Sequence, residues 1–133
     1  MPRWKYLSYR GDPNIKGLEE WFIDLSDKVR GIAGVPLIVT SGLRKSTSKI
    51  GVKNSAHEKG VAIDARSTSS FTHYRFVLAL IRNGIKRIGI YVKPFPCQHC
   101  KKLITEVKLR PSHIHFDKSK DHPQEVLWVG VSK

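Results

Sequence analysis

Two stretches carry the reading of this chain: Ser55-Ala56-His57-Glu58-Lys59-Gly60-Val61-Ala62-Ile63-Asp64 and, further along, Ser112-His113-Ile114-His115-Phe116-Asp117. Side chains alternate across a β-strand. If residues 61–66 form a strand, Val61, Ile63 and Ala65 share one face, and Ala62, Asp64 and Arg66 share the other. In the second stretch Ile114 and Phe116 oppose His113 and His115. Setting these strands side by side merges their apolar faces in a core and gathers Asp64, His113 and His115 on the opposite face. Gly60 supplies a tight turn that folds His57 back over Asp64, and Ala62 leaves space beside the carboxylate. Imidazoles and a carboxylate on one face form a donor set for zinc, which in catalytic sites keeps one coordination position open.

Outward from these stretches, Leu18, Trp21, Phe22, Leu25, Val29 and Ile32 recur at spacings of three and four. That spacing predicts an amphipathic helix over 15–32, stopped near Gly34 and Pro36. Residues 36–40 read as a buried strand, followed by a polar loop from Ser41 to Ser55. Ser69 or Ser70 caps a second helix through Phe71, Tyr74, Leu78 and Ile81, ending at Asn83-Gly84. Strands are expected at 87–92, 103–109 and 112–116, with a short one around Trp128. Helix, strand, strand, helix and then a run of strands predict an α+β fold, a small antiparallel sheet backed by helices.

The length of 133 residues suits one domain over 1–133, with a cysteine-containing hairpin insertion near 93–104. No apolar run is long enough for a membrane span. The first residues, Met1 to Tyr6, have a basic flavour but no apolar stretch behind them, so the expectation is cytoplasmic synthesis without a signal peptide. Twenty-four Lys and Arg against 11 Asp and Glu give a formal charge of +13. A field of that sign favours anionic polymers, whether nucleic acid or phosphate-rich cell envelopes.

The run Ser55-x-His57-x-x-Gly60-x-Ala62-x-Asp64, followed by His113-Ile114-His115, resembles the zinc D-alanyl-D-alanine carboxypeptidases. These are relatives of the phage L-alanyl-D-glutamate endolysins, and their fold is shared with the Hedgehog amino-terminal domain. Ser41-Gly42-Leu43-Arg44 resembles that family's Ser-Gly-x-Arg segment. Residues 87–91 resemble the strand before the final metal histidine of its small members. The resemblance runs from the first helix to Asp117. It implies a Hedgehog/D-Ala-D-Ala peptidase-like fold with zinc held by His57, Asp64 and His115. It implies that Arg44 binds a substrate carboxylate or carbonyl, for which a guanidinium fork is well shaped, and that Ser55 supports the loop or the substrate. The implied activity is hydrolysis of D-amino-acid-containing bonds in peptidoglycan stem peptides, as a carboxypeptidase or as an endopeptidase. A monomer that acts on the cell wall after release, as a phage lysis enzyme does, matches the size and charge. Anionic envelope polymers are the second expected partner.

One departure concerns the general base. Many members carry an acid three residues before the last metal histidine, where this chain has Ser112. His113 takes that role in the present reading. Glu58 and Asp117 are the alternatives, and each is also suited to orient a ligand. A catalytically inactive relative is the corresponding alternative for the whole chain.

Cys97-Gln98-His99-Cys100, with twelve residues between Cys100 and His113, opens a rival reading as a basic zinc-binding nucleic-acid module. Such a finger needs its histidines three to five residues apart on a helix. His113 and His115 are one residue apart, and Arg110-Pro111 disfavours helix just upstream. His122 is too distant to restore the pattern. The cysteines read instead as reduced thiols at a loop tip, or as a local staple of the hairpin.

Overall fold

The computed structural model describes residues 4–42, 59–67, 69–96 and 107–131. A single 3-10 turn over Pro13–Ile15 precedes α1 (Glu20–Ala33) and β1 (Ile38–Ser41). Then come β2 (Ala62–Arg66), α2 (Ser70–Arg82), β3 (Arg87–Pro96), β4 (Val107–Asp117) and β5 (Val126–Val131). The five strands form one sheet in the order β1-β2-β4-β3-β5. The fold is α+β, with the helices on one face of the sheet.

The register is that required by the two opening stretches. β2 and β4 are antiparallel, with Ile63 opposite Phe116, Asp64 opposite His115, Ala65 opposite Ile114 and Arg66 opposite His113. Ile63, Ala65, Ile114 and Phe116 are buried with Phe22, Phe76 and Leu80 from the helices. Each large apolar side chain buried in this way contributes about 1.5–3 kcal/mol relative to exposure. A one-residue slip of β4 would turn His113 and His115 into that core, so the apolar pattern fixes the position of the polar face.

The helices depart from expectation in their bounds and faces. α1 begins at Glu20, because Gly17 adopts φ +88° and leaves Ile15 and Leu18 buried ahead of the helix. It ends at Gly34 in the left-handed conformation, where glycine carries no Cβ penalty. Its buried stripe is Phe22, Ser26, Val29 and Ala33, while Trp21 and Ile32 face outward. In α2, capped by Ser69 Oγ accepting from Thr72 N, the buried residues are His73, Phe76, Ala79 and Leu80. Phe71 and Tyr74 are 64% and 63% exposed, and Ile81 is also exposed. The helix carries two apolar stripes, and the one read from the sequence is not the one that packs.

The strands differ in two ways. β4 is a single strand where two were expected, because an irregularity opposite Tyr91 and Val92 absorbs Pro111. Val92 pairs with Pro111 and Tyr91 with His113, leaving Ser112 as the extra residue of a bulge. β5 joins the edge of β3 in parallel, the one parallel pairing among the described residues. The cysteine-bearing stretch expected near 93–104 lies, beyond Pro96, outside the described residues. Among the described residues, no helix is long and apolar enough to cross a membrane.

Candidate metal and catalytic site

The face opposite the core is built from alternate cross-strand pairs. Asp64 of β2 stands beside His115 of β4, and their Oδ1 and Nδ1 atoms are 2.8 Å apart. The other ring nitrogen of His115, Nε2, lies 2.7 Å from Asp117 Oδ2. The Asp117 carboxylate is only 1% exposed and accepts two further bonds, from Arg87 Nε at 3.1 Å and from Ser119 N at 3.1 Å. Arg87 in turn donates to the carbonyl of Pro123 and lies over the Trp128 ring. A chain of charge-assisted contacts therefore runs from Arg87 through Asp117 and His115 to Asp64.

This arrangement constrains the protons of His115. A carboxylate accepts at each ring nitrogen, so a neutral ring donates to one of them, and donation from Nε2 goes to the buried Asp117. In the neutral ring Nδ1 then presents a lone pair to the Asp64 carboxylate, another acceptor. Two acceptors at 2.8 Å need a proton shared between them, on the ring or on the carboxyl, or a metal ion in its place. Burial opposes charge on His115, but the hydrogen bonds to Asp117 and Asp64, and the charges of both, outweigh it and raise its pKa above the usual histidine value. With side chains 14% and 13% exposed, His115 and Asp64 are held largely out of water yet reachable from the surface. Their donor chemistry fits a divalent ion such as zinc. A histidine ligand whose other nitrogen donates to a carboxylate is also the usual outer arrangement of metal sites.

His113 lies on the same face. Its ring stacks on Tyr91 with centroids 4.4 Å apart and an 8° interplanar angle, and Ser112 Oγ is 3.2 Å from Nδ1. Tyr91 Oη accepts a hydrogen bond from Trp128 Nε1 at 3.1 Å, and Trp128 lies beside His115 with centroids 5.5 Å apart. Two glycines make this aromatic wall possible. A Cβ on Gly89 would come within 2.5 Å of the Trp128 indole, and one on Gly130 within 2.5 Å of the Tyr91 ring. A strand glycine marks such close approaches.

Of the residues singled out in the sequence, Asp64, His113 and His115 share one face in the order expected. His57, Arg44, Ser55 and Glu58 lie outside the described residues, as do Cys97 and Cys100. Gly60 has φ +72° and its carbonyl accepts from Glu19 N, while the expected fold-back of His57 over Asp64 lies outside the described residues. Lys59 beside Gly60 forms an ion pair with Asp121. Within the described residues alone, no group of three or more His, Cys, Asp and Glu side chains is placed to hold a metal. His113 and His115 occupy a strand, so the helical histidine pair of a zinc finger is not formed there. Asp117 stands behind His115, its carboxylate against Nε2 of the ring. The sequence reading missed Arg87, Tyr91 and Trp128; the alternation of Arg87, Gly89 and Tyr91 along β3 was the available signal.

The architecture is that of a known peptidase. It superimposes on the crystal structure of the Serratia marcescens L-Ala D-Glu endopeptidase ChiX with a TM-score of 0.51, covering 85% of this chain and 89% of that one. The two sequences are 18% identical, so the likeness is one of fold. No family model and no curated protein matches the sequence.

Proposed function

We propose that the chain is a zinc-dependent peptidase that hydrolyses D-amino-acid-containing bonds of peptidoglycan stem peptides. The observation that carries this reading is the Asp64–His115 pair, its nitrogen and oxygen 2.8 Å apart and braced from behind by Asp117. It stands on a sheet shared with an L-Ala D-Glu endopeptidase. His57, Asp64 and His115 are the residues that would hold the ion. Zinc in such a site supplies Lewis acidity toward the carbonyl and brings the pKa of water to ~7.

The protein's own groups account for the rest. Asp117 holds the His115 ring in one tautomer and one orientation. His113, stacked on Tyr91 and beside the metal-binding pair, takes the proton released as water adds to the peptide carbonyl. It returns that proton to the departing amine, which leaves a carboxylate and a free amine. Ser112 cannot act as a base, but its hydroxyl lies within hydrogen-bond reach of His113 Nδ1 and orients that ring. Arg44 holds a carbonyl or carboxylate of the substrate, and Ser55 supports the loop or the substrate. Trp128 and Tyr91 shield one side of the site from water. The charge of +13 favours adhesion to an anionic envelope.

Digestion of purified peptidoglycan, with mass spectrometry of the fragments, tests the reading. Cleaved stem peptides that vanish with a chelator and return with zinc are expected. Asp64→Asn and His57→Ala should abolish them, whereas Cys97→Ser should retain them. Full hydrolysis by a metal-stripped protein, or by Asp64→Asn, would overturn the assignment.

A further inference from the structure

Beyond His113 the same sheet face ends in a cleft of about 310 Å³ lined, among the described residues, by Arg66, Ser67, Lys93, Arg110, Pro111 and Ser112. The bulge at Ser112 makes it. Asp117, His115 and His113 alternate onto the site face, and without the extra residue Arg110 would fall on the opposite one. With it, Arg110 pairs with Lys93, which shares the face of Arg87, Gly89 and Tyr91. Arg66 reaches the same place from β2, opposite His113. Three cations thus converge with two hydroxyls, and no carboxylate belongs to the described lining. Ser67 N is anchored to the Ser112 carbonyl, and the capped N-terminus of α2 begins two residues later, adding positive potential.

We infer that this cleft is a subsite for a carboxylate of the substrate peptide, placed to one side of the bond that is cut. The identity of the ligand rests on the peptidase reading above; the anion preference rests on the cleft itself. Continuity decides between a substrate carboxylate and an unrelated anionic polymer. Ser112 belongs to the cleft and its hydroxyl also meets His113, so whatever fills the cleft is in reach of the molecule held at Asp64 and His115. Arg66 stands two strand positions from Asp64, ~7 Å along the sheet, about the span of two residues of an extended peptide. A stem peptide bearing free carboxylates within that span delivers one to the guanidinium groups, which bind carboxylates through paired N–H donors. The subsite therefore sets specificity for charged over amidated stems.

Calorimetric titration of the full chain, kept metal-free with a chelator so that the peptide is not cleaved, with the tripeptide L-Ala-γ-D-Glu-L-Lys tests this. Two counterparts are run beside it, one amidated at the D-Glu α-carboxylate and one amidated at both carboxylates. Binding of the acid form should be ~10-fold tighter than that of at least one amide, the order expected for a charge-assisted contact. Arg66→Gln/Lys93→Gln should lose that difference while binding the fully amidated peptide as the parent does. Equal affinity for all three peptides, a variant that still discriminates, or no binding at all would overturn the subsite. Binding is read without hydrolysis, so the two readings fail separately. A protein that discriminates but never cleaves retains the cleft and loses the peptidase. One that cleaves charged and amidated stems equally loses only the cleft.

Discussion

Asp117→Asn is the substitution with the most to say about the site, because one buried carboxylate serves three donors. In the parent, Oδ2 accepts from His115 Nε2 at 2.7 Å and from Arg87 Nε at 3.1 Å, and Oδ1 accepts from Ser119 N at 3.1 Å. Asparagine keeps the shape but offers one acceptor and one donor. Its NH2 group must face either the Ser119 N–H or the two donors on the other side, so at least one contact becomes a donor–donor clash. Its neutrality also leaves the Arg87 guanidinium without its buried counter-charge. Breaking a buried charge pair from one side costs about 3–5 kcal/mol. Arg87 retains the Pro123 carbonyl and is 19% exposed, so the lower end, ~3 kcal/mol, is expected. For a chain of this length that is a fall in Tm of ~10 °C. Loss of the orienting carboxylate should also weaken zinc binding by ~10–100-fold. Urea unfolding of the metal-free protein reads the first effect, and competition for zinc against a chromogenic chelator reads the second. An Asp117→Asn protein with parental stability would show that the Arg87–Asp117–His115 chain carries no energy. Lost stability with unchanged zinc affinity would show that Asp117 braces the fold and not the ligand.

The elevated pKa of His115 sets the pH response of the metal-free protein. A histidine raised above its unfolded value of ~6.5 contributes its full stability below that pH and loses it as pH climbs through the folded pKa. Metal-free protein should therefore lose stability on going from pH 6 to alkaline pH. His115→Gln should flatten that limb, and a parental slope in that variant would refute the assignment. With zinc bound the trend reverses, since metal competes with the proton and binds more tightly as pH rises. His73 behaves oppositely: burial first, and then the proximity of His113, lowers its pKa. Its Nε2 is buried with no hydrogen-bond partner among the described residues, and so His73→Leu should stabilise the fold by ~1 kcal/mol, mostly below pH ~6.5; an unchanged acid limb in urea unfolding would contradict this. Gly89→Ala places a methyl in the Trp128 indole and should cost ~1–3 kcal/mol, with a red-shifted tryptophan emission as the ring leaves Tyr91. Parental emission and stability would mean that the close packing over Gly89 is not required.

The polar face of the sheet was legible because strand alternation is a local rule. Once Val61, Ile63, Ile114 and Phe116 go inward, Asp64, His113 and His115 have one side left to occupy. Helix faces were less legible. Along α2, Phe71, Tyr74 and Ile81 make as good an apolar stripe as Phe76, Ala79 and Leu80, and only contact with the sheet selects the second. In α1 the same ambiguity moved Trp21 and Ile32 outward. Two strands were expected, at 103–109 and 112–116, with Pro111 between them. A bulge one residue away lets β4 run through it.

The sequence by itself therefore determined the α+β class, the pairing logic of β2 with β4 and the chemistry of the ligand candidates, because period-2 patterning and side-chain type need no partner to be read. Tertiary structure alone decided what surrounds that chemistry. Arg87, Trp128 and Tyr91 come to it from β3 and β5, whose parallel pairing no local signal encodes. The burial of Asp117 and the convergence of Arg66, Lys93 and Arg110 likewise depend on where distant strands come to rest. Such contacts are properties of the assembled sheet, since each needs residues from separate strands to meet before it exists.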